Sequence, residues 1–442
     1  RLDFCYHNGM TRRAALTAVL LVLFLTAVSA RADSPERVSQ NETRAETVEE
    51  LRVKIEERGS AVAQLENQIA AYQEELEKVG KEAKTLQSAI RALELERKKL
   101  TAGIRVTEER VKSATLAIAE LSGGIAEKER KIAVNLEALR DALRTVEKLE
   151  RTTLVEAMLA EATLSAFWDE IDALERFEKT LSVNLEALRA LKAGLEEEKG
   201  ATEAKRRELA ALRARLTDQR QILDGRRREQ QTLLSTTRNK ESEYRKLLAE
   251  RVRLRDAFAQ ELLLFESELR IAIDPARLPQ TGSGVLRWPL DSVKITQYFG
   301  DTAFARSGGY SGRGHNGIDL RAPIGTTVRA AASGTVSGVG DTDAVCRGAS
   351  YGKWVLVEHQ NGLSTLYAHF SLVKVTEGQT VNTGEIIGYS GDSGYATGPH
   401  LHFTVYATQG VRVMARKSAV CRGTYAMPIA DLKAYLNPLS YL

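Results

Sequence analysis

Between Pro35 and Pro275 the chain contains no proline, although six more follow before its end. Proline inside a helix removes a backbone hydrogen bond and clashes with the preceding turn. So long a stretch without one is helical territory. Its periodicity agrees. Stepping by seven from Ile55 gives Val62, Ile69 and Leu76, and later Ile104, Val111, Ile118, Ile125 and Ile132. Three places on in each heptad stand Leu65, Tyr72, Leu86, Leu93, Leu100 and Leu121. β-Branched residues at one seam position and mostly leucine at the other describe a coiled coil. A single helix from about 41 to 151 would be roughly 160 Å long, with Gly123-Gly124 as its weak point.

From Thr152 to Trp168 the heptad phase is lost, and Thr152-Thr153, Thr163 and the pair Phe167-Trp168 read as a hairpin tip or short cap. A weaker pattern resumes from about Asp169 to Ile273, with Leu174, Leu181, Leu188, Leu195, Leu209, Leu216 and Leu223. Two helical halves of similar length suit an antiparallel hairpin over 41–273; a parallel dimer is the competing arrangement. Residues 274–284, Asp-Pro-Ala-Arg-Leu-Pro-Gln-Thr-Gly-Ser-Gly, read as a linker. From 285 to 442, short runs such as Trp354–Glu358 and Leu401–Val405 alternate with glycine-rich turns, the texture of a compact antiparallel β domain. The expected fold class is therefore multidomain, a long α-helical coiled coil followed by a β domain.

Met10 is followed by Arg12-Arg13, an apolar run from Ala14 to Val28, and small residues at Ser29, Ala30 and Ala32. This order describes a secretory signal peptide over 10–32, with an uncleaved membrane anchor as the alternative. Export to the periplasm or cell envelope follows. With Cys5 ahead of that segment, Cys346 and Cys421 remain as an even pair in an oxidising compartment, which predicts one disulfide. The net charge of +4 is small for 442 residues and offers no electrostatic case for nucleic acid.

Five of the six histidines, at 315, 359, 369, 400 and 402, fall in the β region. His315 and Asp319, four apart across a turn permitted by Asn316-Gly317, can face one ion. In His400-Leu-His402 on a strand both rings point to the same face; one can bind metal while the other faces substrate. Imidazole and carboxylate ligands suit zinc, and a catalytic zinc keeps three protein ligands and an open position.

Gly314–Leu320, Ala322–Val328, Thr365–His369 and Gly398–Phe403 together resemble the lysostaphin-type (LytM) peptidoglycan metalloendopeptidases, in order and over about 286–406. The resemblance implies zinc ligands His315, Asp319 and His402, and an unliganded catalytic pair, His400 and His369, of which either would take the water proton or stabilise the oxyanion. His359, after a strand, matches a variable position and reads as a surface histidine. Stretches 343–350 and 411–427, each with one cysteine, depart from the family pattern as insertions. An exported coiled coil before such a domain is similar to the murein hydrolase activator (EnvC-like) family. That implies peptidoglycan peptide stems as substrate, a role in cell separation or wall remodelling, and a division-associated membrane complex as partner of the coil. The readings to separate are an active endopeptidase, a non-catalytic activator of a cell-wall amidase, and a structural rod. The coil either covers the zinc cleft until a membrane partner grips its tip, or is a simple spacer reaching toward the wall.

Overall fold

The computed structural model describes residues 48–80, 85–150, 164–238, 240–268, 273–274, 276, 278, 280–306 and 314–442. The expected signal peptide over 10–32 and the tip residues 152–163 lie outside them. Among the described residues, no helix is long and apolar enough to cross a membrane.

Among the described residues, the helical region holds four long helices: α1 (Val48–Gly80), α2 (Leu86–Glu150), α3 (Leu164–Thr237) and α4 (Glu241–Glu268). The single helix expected from 41 to 151 is thus two. The break falls before Thr85, whose hydroxyl accepts from the Ser88 N–H at 3.2 Å while the Ser88 hydroxyl accepts from the Thr85 N–H at 3.1 Å. This reciprocal cap satisfies donors that a helix start leaves without intrahelical partners. Glu241, in the first turn of α4, accepts the Leu86 N–H at 2.8 Å.

After the break α1 lies antiparallel on α2, with Arg52 paired to Glu120 (2.8 Å), Arg58 to Glu109 (3.0 Å) and Arg91 to Glu75 (2.6 Å). α3 lies antiparallel on α2 as well, through Lys128–Glu198 (2.9 Å), Thr107–Gln219 (2.7 Å) and Arg97–Gln230 (2.7 Å). The antiparallel hairpin is therefore α2 with α3, and α1 adds a third helix. Gly123-Gly124 does not interrupt α2. A side chain at Gly124 would bring its Cβ to 3.0 Å from the Glu198 carboxylate, so this glycine makes room for the Lys128–Glu198 pair. Phe167 and Trp168 belong to the start of α3.

The β domain is built on one antiparallel sheet in the order β1-β2-β10-β6-β5-β4-β8, with β13 on β10, where β1 is Ile295–Gln297, β4 Gly334–Asp341, β8 Thr380–Val381 and β13 Tyr435–Leu436. Its central strands are β2 (Ile318–Arg321), β10 (His400–Ala407), β6 (Leu363–Ala368) and β5 (Lys353–His359). Strand alternation gives the sheet two apolar faces. On one, Ile318, Leu320, Leu401, Phe403, Val405 and Val355 form a core with Val328, Phe370 and Ile387 of the small sheet β3-β9-β7 (Thr327–Arg329, Ile386–Ser390, Phe370–Val373). On the other, Trp354, Leu356, Leu366 and Tyr406 pack beneath the ribbon β11-β12 (Val411–Lys417, Thr424–Ala430).

That second core also takes Phe258 of α4, 1% exposed, with its ring 4.9 Å from that of Tyr425. Burying a phenylalanine contributes about 1.5–3 kcal/mol. The helical region expected to end at 273 therefore supplies part of the β domain's interior. The two segments that depart from the family pattern meet here, joined by the expected Cys346–Cys421 disulfide with Cα atoms 5.4 Å apart. In the expected linker, the Asp274 carbonyl accepts from Gln409 at 2.9 Å and the Gly282 N–H donates to the Ser440 carbonyl at 2.9 Å, which ties both ends of 274–284 to the β domain.

Candidate active site

β2 and β10 are hydrogen-bonded neighbours, and their register sets Asp319 directly opposite His402 and Arg321 opposite His400. His400 and His402 are two apart, so they share the sheet face that the ribbon covers, while Leu401 and Phe403 point into the opposite core. His315 precedes β2 and is held by a two-way backbone pairing with Gly300, at 2.7 and 2.8 Å.

The three side chains converge. Asp319 Oδ1 lies 2.9 Å from His402 Nδ1 and 3.3 Å from His315 Nε2, and the two imidazole nitrogens are 3.1 Å apart. The outward nitrogens have fixed partners, His315 Nδ1 with the Tyr298 carbonyl (2.9 Å) and His402 Nε2 with the Thr404 hydroxyl (2.9 Å). A carbonyl can only accept, so His315 carries its proton on Nδ1 and turns a lone pair inward. With His402 donating to Thr404, its inward nitrogen is bare too. Three lone-pair donors this close repel one another unless a cation lies between them. The set, within 4.8 Å and buried, can hold a metal ion. Burial opposes ionisation of Asp319, but whenever the inward nitrogens carry protons their hydrogen bonds, with the charged imidazoles of His402 and His400, hold the carboxyl well below the usual range. Burial pushes the His402 imidazole down, which favours the neutral ligand form.

His369 and His400 stand beside this triad, their rings 4.6 Å apart. Each is tethered by Nδ1 to a backbone carbonyl: His369 to Ser393 at 2.7 Å and His400 to Gly398 at 2.8 Å. Both therefore leave Nε2 as a proton acceptor, and His400 Nε2 reaches to 3.6 Å from Asp319 Oδ1. Burial, with His400 and His402 adjacent, pushes His369 well below its ordinary value. Its backbone is left-handed, φ 64°, a conformation a non-glycine side chain resists by about 1–3 kcal/mol. The His369 N–H donates to the Tyr351 carbonyl at 2.9 Å to hold it there.

All five expected residues thus meet in one place. His359 does not join them, nor is it on the surface: it is 4% exposed, bonded to the Ser333 carbonyl (3.1 Å) and the Thr365 hydroxyl (2.8 Å). The alternation of β5 turns it into the core, and burial lowers its pKa. Tyr351 went unremarked in the sequence. Its ring stacks 5.9 Å from that of His402 and its hydroxyl accepts from Asn316 at 3.1 Å; it lies in a segment with no motif to mark it.

Residues 313–414 match the family described as Peptidase family M23. The C-terminal domain is a family M23 domain. Over 89 residues this chain is 47% identical to the DD-carboxypeptidase/endopeptidase Mpg of Neisseria meningitidis serogroup B, a match covering 20% of this chain and 19% of that protein. It is 38% identical over 107 residues to the peptidoglycan DD-endopeptidase ShyA of Vibrio cholerae, covering 24% and 23%. Among solved structures, the catalytic domain of lysostaphin from Staphylococcus simulans is 32% identical, with 26% of this chain and 81% of that one covered and a TM-score of 0.23. The chain spans about a fifth of the length of the curated relatives it matches. Within the M23 domain, the match takes in all five residues of the site.

Proposed function

We propose that the chain is an exported zinc metalloendopeptidase that hydrolyses peptide cross-links of the cell wall. The observation that carries this reading is the convergence of His315 Nε2, Asp319 Oδ1 and His402 Nδ1 beside two tethered imidazoles. Two imidazoles and one carboxylate are a zinc donor set that leaves a fourth position open. Zinc held there would act as a Lewis acid on a scissile carbonyl and its attacking water.

The chain's own residues supply the rest. Thr404 and the Tyr298 carbonyl orient the two ligand imidazoles. His369 and His400, each with its proton locked on Nδ1, present Nε2 to take the water proton and later return it to the leaving amine. Peptidoglycan as substrate is supported by the names of the relatives and by the M23 match. A division-associated membrane complex as the coil's partner, and a role in cell separation, are supported by the resemblance of the architecture. The complete donor set favours an enzyme over a non-catalytic activator, which has no need of it.

The test is metal analysis of the purified full chain together with peptide release from isolated cell walls. One zinc per chain and hydrolysis that a chelator stops are expected, with both lost in His315→Ala. Full zinc retention in that variant, or no hydrolysis by zinc-loaded chain, overturns the reading.

A further inference from the structure

The segment 391–394 backs both catalytic-pair imidazoles. Gly391 pairs through its backbone with His400, and the Ser393 carbonyl holds His369 Nδ1 at 2.7 Å. The Ser393 hydroxyl donates to the Phe370 carbonyl (2.8 Å) and accepts the Lys353 N–H (2.9 Å), while the Gly394 N–H donates to Asp343 at 2.8 Å. Between Gly391 and Ser393 stands Asp392, whose carboxylate is taken not by the β domain but by α3. Arg226 meets it with both prongs of its guanidinium, Nη1 to Oδ2 at 3.2 Å and Nη2 to Oδ1. Arg226 is 5% exposed, with Glu229 at 2.7 Å and Glu96 at 3.8 Å. From α4, the Arg255 guanidinium sits 4.6 Å over the Tyr395 ring.

We infer that Arg226 is a positioning residue of the peptidase site. The helical rod supplies it, and it acts through Asp392 and the Ser393 carbonyl on His369. The argument is geometric. The φ of 64° at His369 is not a resting conformation for a histidine, so the ring's aim depends on what clamps it. One clamp is the Ser393 carbonyl. Its neighbouring residue carries a carboxylate bound in a fork geometry that a guanidinium matches and an ammonium does not. Through that pair the rod fixes the backbone presenting the carbonyl. In this arrangement the rod completes the site, and loss of its grip would leave His369 aimed less well. A displacement of about 1 Å in such a group can cost on the order of 100-fold in rate.

The inference rests on the proposed peptidase reading, and the experiment separates the two. In the full chain, Arg226→Lys keeps a cation among Glu96, Glu229 and Asp392 but loses the fork, so the fold is retained; Asp392→Asn removes the other partner. Each should lower kcat about 10- to 100-fold with KM and zinc content little changed. The double variant should be no worse than the single ones, because both break one link. In a His369→Ala background, Arg226→Lys should cost nothing further. An unchanged or raised kcat in Arg226→Lys, or an undiminished loss in the His369→Ala background, overturns the inference. If the wild-type chain hydrolyses nothing, the peptidase reading fails and hydrogen exchange decides the positioning. Arg226→Lys must then speed exchange of the His369 and Gly394 amides, and unchanged protection of both overturns it.

Discussion

A Cβ placed on Gly317 would fall 2.5 Å from the Phe403 carbonyl oxygen, 2.7 Å from the Thr404 hydroxyl and 3.0 Å from the His402 ring. Backbone and both halves of the His402–Thr404 pair cannot all yield, so Gly317→Ala must turn the ring or part the strands. Disturbing the partners of a metal ligand typically costs 10- to 100-fold in affinity. Gly317→Ala is therefore expected to weaken zinc binding by about that factor, read by competition with a chromophoric chelator; wild-type affinity in the variant refutes this account of the glycine. Four of the five site residues were legible because they sit in short motifs whose spacing survives any tertiary arrangement, His315 and Asp319 four apart across a turn and His400 and His402 two apart on a strand, whereas His369 was marked only by the family resemblance of Thr365–His369. Arg226 and Asp392 were not, since 166 residues separate them and neither carries a local pattern. His359 misled for a related reason. Strand alternation marks which residues share a face, but not that both faces of β5 are covered.

Among the elements, the heptad pattern identified helices and missed where one ends. Leu76, Ala83 and Ile90 stay in phase across the break between α1 and α2, because each antiparallel partner needs the same seam. The local signal was Gly80 followed by Thr85-Leu-Gln-Ser88, a helix stop and a capping sequence that the longer rhythm overrode. The cysteines were easier, since export chemistry and an even count point to a bridge whatever the fold. The bridge closes a loop of 75 residues between the β4–β5 connection and the turn of the ribbon. A loop of that size confers about 2–4 kcal/mol on the folded form. Reduction, or Cys421→Ser, should lower the β domain's melting temperature by several degrees, and identical melts with and without reductant would refute it. The ribbon covers the face that bears the site, so zinc release should begin at a lower temperature in the same samples.

At the scale of the whole molecule, the rod and the β domain meet through buried charge. Glu96 of α2 stands beside Arg226, with Asp392, Glu229 and Lys99 also facing it, and its Oε2 is buried with no hydrogen-bond partner among the described residues. Burial pushes its carboxyl up to about 8, against the pull of Arg226 and Lys99. Burial raises Glu229 as well, whereas Arg226 outweighs burial at Asp392 and holds it down, so Asp392 acts only in acid. Between the ordinary value of 4.5 and about 8, an unfolded chain has released the Glu96 proton while the folded one still holds it. The folded state then binds more protons, and stability falls as pH rises through that window. Below it Glu96 contributes no difference; above it the full cost of a buried carboxylate is present. Glu96→Gln keeps the shape without the charge. It is expected to melt with the wild type near pH 5, and to be more stable by about 1–3 kcal/mol near pH 8.5. Melts at the two pH values decide it. An equal shift at both would mean that shape alone matters at this position, and wild-type superiority at the higher pH would mean that Glu96 is charged there and serves the Arg226 contact.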